Sequence, residues 1–197
     1  MSSAMKTLDL QSIYPKPDTS KPHPDHKIYP YLLRGVCASH PNHILGTDIT
    51  YIRLETRFCY LCAMLDWYSR KVLAWQVSNT LHTDFCLDVL ETSLTQGIPD
   101  YHNSDQGVQF TSDDYIAILK SHDSIQISMD GRGRCMDNIF TERLWRTIKY
   151  EDVYLKDYRT VNDVHEGLML YFDHYNNRRP HQSLDYKTPN EVYSSNN

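Results

Sequence analysis

The sequence predicts an α/β fold, a mixed five-stranded sheet with helices on both faces. Three observations carry this. Residues 46–54, 58–67 and 71–77 are strand-like runs separated by turns too short to hold a helix, which predicts an antiparallel meander. After Val77 the apolar spacing changes, and helical and strand-like segments alternate as far as Met129. Beyond that, two helical stripes fill the C-terminal third, so the element order is β-β-β-α-β-α-β-α with a further helix, and helices enough to cover both faces of one sheet.

Taken in order, five of the nine prolines fall within the first 30 residues, and no glycine occurs before Gly35. That composition predicts an extended linker over residues 1–40. Residues 28–38 read equally as a short helix or a strand. The chain has 197 residues, 40% hydrophobic and 12% aromatic, enough for one domain with a real core, placed at 41–193, and a short tail at 194–197.

In GTDITYIRL, period two puts Asp48, Thr50, Ile52 and Leu54 on one face, so an acid heads an apolar row. Such a carboxylate is costly unless something positive meets it. Asp66 ends the second strand as a turn residue. Phe85, Val89 and Leu90 repeat at helical spacing over 84–95, and Gly97 and Pro99 stop the pattern. In YHNSDQGVQFTS a short strand ends at Asn103, with Asp105 and Gly107 in the turn beyond its carboxyl end, where open α/β sheets collect ligands. Ser112 caps a helix containing Tyr115, Ile116 and Leu119. A strand over 124–129 follows, and then a glycine-arginine loop.

That loop feeds the most informative stretch, GRGRCMDNIFTERLWRTIKYE, residues 131–151. Asp137 or Asn138 suits an N-cap, because a short side-chain oxygen can accept from an orphan backbone N–H. Phe140, Leu144 and Ile148 then form the packing stripe, while Glu142, Arg146 and Lys149 share the opposite one. Glu142 with Arg146 is also an ordinary solvated i,i+4 pair. The final stripe, over 161–175, is Val161, Val164, Leu168, Tyr171 and Tyr175.

Charge and cysteines narrow the class. The formal net charge is −5, but residues 131–149 hold five cations (Arg132, Arg134, Arg143, Arg146, Lys149) against Asp137 and Glu142. A local basic patch suits phosphate even on an acidic chain. The five cysteines are odd in number and scattered, which predicts reduced thiols. No apolar run approaches the ~18 residues of a membrane span, and MSSAMKTLDL has neither a basic nor an apolar leader region, so a cytoplasmic location is expected. His40 and His43 with Cys59 and Cys62 imitate a zinc set, but cysteines three apart on a strand point to opposite faces. The histidines show no other ligand spacing, and His102 reads as a local hydrogen-bond partner.

Three acids remain in suggestive places: Asp48 on the first strand, Asp105 past the fourth and Glu142 on the helix. With the first and fourth strands adjacent, all three converge at one rim. Such oxygen ligands suit Mg²⁺ or Mn²⁺, and two such ions would support in-line phosphoryl transfer with no covalent protein nucleophile.

GTDIT around Asp48, NSDQGVQFTS around Asp105, SMDGRGRCMDNIFTERLWRTIKYE around Glu142 and YNNRRPHQSLDYKTP near the end resemble, in that order, the motifs of bacterial insertion-sequence transposases of the second-frame type, related to retroviral integrases. The resemblance covers about residues 15–193. It implies a ribonuclease-H-like fold and a DNA strand-transfer enzyme with Asp48, Asp105 and Glu142 as metal ligands for two Mg²⁺ or Mn²⁺ ions. It also implies Lys149 at the DNA beside the reacting phosphate. Arg132, Arg134 and Arg146 are expected on phosphates, and Arg178, Arg179 and His181 either there or capping the helix that ends near Asn177. DNA and further copies of the chain are the expected partners.

The chain departs from the family in three ways. Thirty-six residues separate Asp105 from Glu142, one more than the family spacing, and the extra one is expected in the 121–124 loop. Leu45 stands where the family has Trp. The family's helix-turn-helix region, which precedes the linker, is expected to be missing here, so the chain is expected to bind metal and cut DNA without preferring element ends. A catalytically silent regulator, or a nuclease that only hydrolyses, are the competing readings; the glycine-arginine loop and the RRPH segment favour transposase over the latter.

Overall fold

The computed structural model describes residues 28–131 and 138–195. Within them lies one sheet of β1 (Ile44–Arg53), β2 (Phe58–Asp66), β3 (Val72–Ser78), β4 (Tyr101–Ser104) and β5 (Gln126–Met129), in the spatial order β3-β2-β1-β4-β5. The first three strands pair antiparallel, and β1–β4 and β4–β5 pair parallel. This is the expected meander with β4 laid beside β1. The helices are α1 (Asp84–Leu94), α2 (Asp113–Lys120), α3 (Ile139–Ile148), α4 (Val161–Asn177) and α5 (Pro189–Ser194).

Alternation along the strands divides the core in two. Ile44, Ile52, Leu61 and Leu65 face α3 and α4, packing with Leu144, Ile148, Val164 and Leu168. Leu45, Met64 and Leu73 face α1 and α2, packing with Phe85, Leu90, Tyr115 and Leu119. Cys59 belongs to the first core and Cys62 to the second, as strand geometry requires, so they do not form a shared metal set with His40 and His43. Leu45, in place of the family's Trp, is fully buried among the second group.

Local chemistry explains the helix ends. The Ser112 hydroxyl accepts from Tyr115 N–H at 3.4 Å, the expected cap of α2. Asn138 behaves differently from expectation. Its side chain makes no capping bond to the α3 backbone; Oδ1 accepts from the Thr141 hydroxyl at 2.6 Å and Nδ2 donates to the Thr47 carbonyl at 3.4 Å. A link to β1 has taken the side chain away from the helix end. Past Ile148 the helix widens into a π-helical turn, Lys149–Val153, which periodicity alone does not reveal.

Asp66 is the hub of the turn after β2. Fully buried, it accepts from Asn42 N–H at 2.9 Å through Oδ1 and from Ser69 N–H at 2.8 Å and the Ser69 hydroxyl at 2.5 Å through Oδ2. No described helix is long and apolar enough to cross a membrane.

Gly46 sets how closely α3 approaches β1. A Cβ there would overlap Trp67 Nε1 and lie 2.9 Å from Trp67 Cε2 and 3.2 Å from Thr141 Oγ1. Trp67 is 5% exposed and cannot swing into solvent cheaply. Gly46→Ala should therefore cost about 1–3 kcal/mol, measurable by denaturant unfolding. An unchanged midpoint would mean that α3 and Trp67 shift freely.

Candidate active site

Asp48 and Asp105 reach one cleft from two strands. Asp48 lies midway along β1, and Asp105 follows the carboxyl end of β4, which is parallel to β1. Both line a cavity of about 240 Å³ together with Thr50, Tyr60, Gln109 and Phe110. Asp105 Oδ1 accepts from Gly107 N–H at 2.8 Å, and any side chain at 107 would press on that oxygen. Asp105 is open to solvent at the cleft mouth, yet desolvation by the walls still raises its pKa.

Asp48 is the more perturbed of the two. Its Oδ1 accepts from Ile49 N–H at 2.7 Å and its Oδ2 from the Trp145 indole N–H at 2.9 Å. Burial pushes its pKa up to about 6; the Trp145 bond opposes this, and the charges of Asp105 and Glu142 add to it. Glu142 is therefore close enough to be felt. It sits exposed in the first turn of α3, the helix that Trp145 ties to β1.

The acids do not form a tight trio. Among the described residues, the set of three potential ligands whose donor atoms all lie within 4.8 Å is His40, His43 and Asp100, at the far end of the sheet. Each aspartate is held by its own backbone donor, Asp48 by Ile49 N–H and Asp105 by Gly107 N–H. The donor chemistry nonetheless fits hard cations: two aspartates lining one cleft, a third carboxylate near enough to be felt, and a proton affinity raised because the carboxylate charge is poorly solvated.

The cations are distributed unevenly. Lys149 is half-buried, with Nζ 5.0 Å from the centre of the Tyr51 ring; desolvation lowers its pKa and the field of Asp48 partly restores it. Arg146 is exposed, its guanidinium 5.8 Å from the Tyr150 ring centre. Arg132 and Arg134 lie outside the described residues. Arg178 is exposed, 3.9 Å from Asp173. The Arg179 charge is met by a two-pronged, partly exposed pair with Glu151 at 2.8 and 2.5 Å. That contact pushes the Glu151 pKa down and the Arg179 pKa up. The end of α4 is closed by the Arg178 and Arg179 backbone N–H groups, both bonded to His174 O, and not by their side chains.

Burial pushes the His181 pKa down to about 4, with the neighbouring Arg179 charge adding to it. His102 is fully buried; burial lowers its pKa to about 4, and Nε2 meets Tyr115 OH at 3.0 Å, as expected for a hydrogen-bond partner.

Two residues carry roles that sequence reading missed. Trp145 looks like a packing residue, and its bond to Asp48 spans 97 positions. Asn176, inside the C-terminal motif, grips the β3 backbone by accepting from Val72 N–H at 3.0 Å and donating to Val72 O at 2.9 Å. An Asn on the packed side of a helix was the available signal in the second case. The first had none.

Two models described as integrase core domain match residues 38–135 and 123–189. The chain belongs to the integrase core family. This integrase core is 30% identical over 163 residues to the transposase InsK for insertion sequence element IS150 of Escherichia coli (strain K12), covering 81% of the present chain and 57% of the relative. It is also 30% identical over 164 residues to the transposase for insertion sequence element IS904 of Lactococcus lactis subsp. lactis (strain IL1403), covering 80% and 64%. The chain thus spans 57–64% of the length of these curated relatives.

Among solved structures, the integrase core matches the HTLV-2 integrase catalytic core domain in complex with magnesium, trimeric form, at a TM-score of 0.62 and 18% identity over 78% of this chain and 97% of that one. It matches a chain of the simian T-cell lymphotropic virus intasome at a TM-score of 0.68 and 18% identity over 87% and 60%. The fold is ribonuclease-H-like, as the motif resemblance implies, and the curated relatives that the chain matches are insertion-sequence transposases.

Proposed function

We propose that this chain is a transposase catalytic core that cuts and joins DNA by divalent-metal-dependent transesterification, with Asp48, Asp105 and Glu142 as the metal-holding acids. The observation that carries this reading is the shared cleft of Asp48 and Asp105, within the electrostatic reach of Glu142 on a helix that Trp145 pins to β1. Two Mg²⁺ or Mn²⁺ ions bound there supply the positive charge that activates the attacking oxygen and stabilises the leaving one.

The chain's own residues do the placing. Trp145 holds the Asp48 carboxylate in one orientation and favours its ionised form. Gly107 N–H does the same for Asp105. Lys149, which senses the Asp48 charge from the end of α3, and the exposed Arg146 are positioned for the phosphates of DNA lying across the cleft. Arg132 and Arg134, outside the described residues, are proposed as further phosphate contacts on the motif resemblance alone, and Arg178 as a lesser one. Arg179 and Glu151 hold the π-turn against α4 instead. In the reaction a hydroxyl oxygen attacks the phosphorus in line, the opposite P–O bond breaks, the hydroxyl proton leaves to solvent and the departing oxygen is protonated. DNA is the proposed substrate, with further copies of the chain as assembly partners.

A strand-transfer assay with labelled duplex oligonucleotides, purified chain and Mg²⁺ or Mn²⁺ tests this. Joined products that vanish with a chelator are expected. DNA binding without cleavage or joining would instead support a silent regulator, and hydrolysis alone a simple nuclease.

A further inference from the structure

We infer a second metal site, selective for a nitrogen-preferring divalent ion such as Zn²⁺, formed by His40, His43 and Asp100. The sequence pairs His40 and His43 with no third ligand; the fold brings Asp100 to them from 57 positions beyond His43. One donor atom from each lies within 4.8 Å of the other two. His40 Nε2 is 3.5 Å from Asp100 Oδ2, close to the ~3.4 Å edge of a tetrahedron with metal–ligand bonds of about 2.0–2.1 Å. The His40 and His43 rings are stacked, with centroids 4.8 Å apart, so closing on an ion requires the two rings to turn until their lone pairs converge.

The scaffold is built rather than accidental. Residues 40–43 form a tight turn in which Pro41 sets the entry and Asn42 takes the left-handed conformation, φ 61°, closed by His43 N–H to His40 O at 3.2 Å. Asn42 is held from three directions: its N–H donates to buried Asp66 at 2.9 Å, its Oδ1 accepts from Tyr193 OH at 3.1 Å, and its carbonyl accepts from Asp100 N–H at 3.1 Å. The last bond docks Asp100 directly onto the histidine turn, and Tyr101 N–H to His43 O at 2.9 Å repeats the link one residue on.

The His40 imidazole is also oriented from behind, as metal-binding histidines are. His40 Nδ1–H donates to Pro41 O at 3.0 Å, which leaves the Nε2 lone pair facing Asp100. His43 Nδ1 accepts from Ser39 N–H at 3.1 Å, which puts the ring proton on Nε2 in the metal-free chain; binding through Nε2 therefore displaces that proton and turns Nδ1–H towards the Ser39 hydroxyl, 3.2 Å away. Two imidazoles, one carboxylate and an open fourth position make a set that favours Zn²⁺ over Mg²⁺, which prefers oxygen-only octahedra. The site sits at the amino ends of β1 and β4, with Asp105 past the other end of β4, roughly 16 Å away at about 3.3 Å per residue. It is therefore independent of the catalytic reading.

The test is Zn²⁺ titration of the full chain in excess Mg²⁺, read by calorimetry, with His40→Ala and Asp100→Asn compared with Asp48→Asn and Cys37→Ser. One Zn²⁺ per chain is expected, weakened about 10–100-fold by either of the first two changes and unaffected by the last two. His40 and Asp100 are exposed, so these variants keep the fold, which unfolding midpoints verify. The inference is overturned if no Zn²⁺ binds, if His40→Ala and Asp100→Asn bind it as the unaltered chain does, or if binding is lost in Asp48→Asn or Cys37→Ser, which would assign the ion to the acid cleft or to a thiol.

Discussion

Replacing Glu142 by Gln should lower DNA joining by at least about 10³-fold while leaving the unfolding midpoint unchanged, since an amide cannot supply an anionic metal ligand. The residue is exposed in the first turn of α3, and no part of the core depends on it. Strand transfer measured with saturating Mn²⁺, alongside thermal unfolding of the same samples, separates the two effects. Joining at near the unaltered rate would remove Glu142 from the site and with it the three-acid reading. Asp105→Asn should behave alike. It keeps an oxygen for Gly107 N–H, so the turn survives while the charge is lost.

The second large effect is on stability and has the opposite sign to the effect on activity. In the folded chain the Asp48 pKa is about 6, against an ordinary 3.8, because burial penalises the charged form. The fold therefore binds this proton more tightly than the unfolded chain does. Its contribution favours folding below about pH 4, is lost as pH rises towards 6, and stays lost above that. At pH 7, without divalent ions, Asp48→Asn should stabilise the chain by up to about 3 kcal/mol, raising the unfolding temperature by several degrees. The gain should shrink to near zero at pH 4, and saturating Mn²⁺ should narrow it at pH 7 by stabilising the aspartate form alone. Equal stability of the two proteins at pH 7 without metal would mean that Asp48 is as well solvated as a free carboxylate.

Together these outcomes describe a site whose charge is costly to the fold and useful only when a cation meets it. The same economy explains Trp145, whose indole N–H offsets part of the cost from a helix otherwise devoted to packing.

The sequence by itself determined the elements and their order. Period two placed Asp48 on the face that meets α3 and α4, the tight turns between the first three strands forced a meander, and Ser112 announced α2, because strand alternation and caps are local and need only a few neighbouring residues. The four ordered motifs carried the family for the same reason.

Only the tertiary structure decided which partners those residues meet. Arg179 has no sequence mark that separates it from Arg178, yet Glu151, 28 positions earlier, takes its charge. Asn138 reads as a helix cap but spends its amide on β1, 91 positions away. Trp145 reaches Asp48, and Asp100 completes the histidine turn, through parallel pairing of β1 with β4 and the seating of α3 over Gly46. Periodicity says which face a side chain occupies. What stands opposite that face depends on how the elements pack around the sheet, and that is a property of the whole chain.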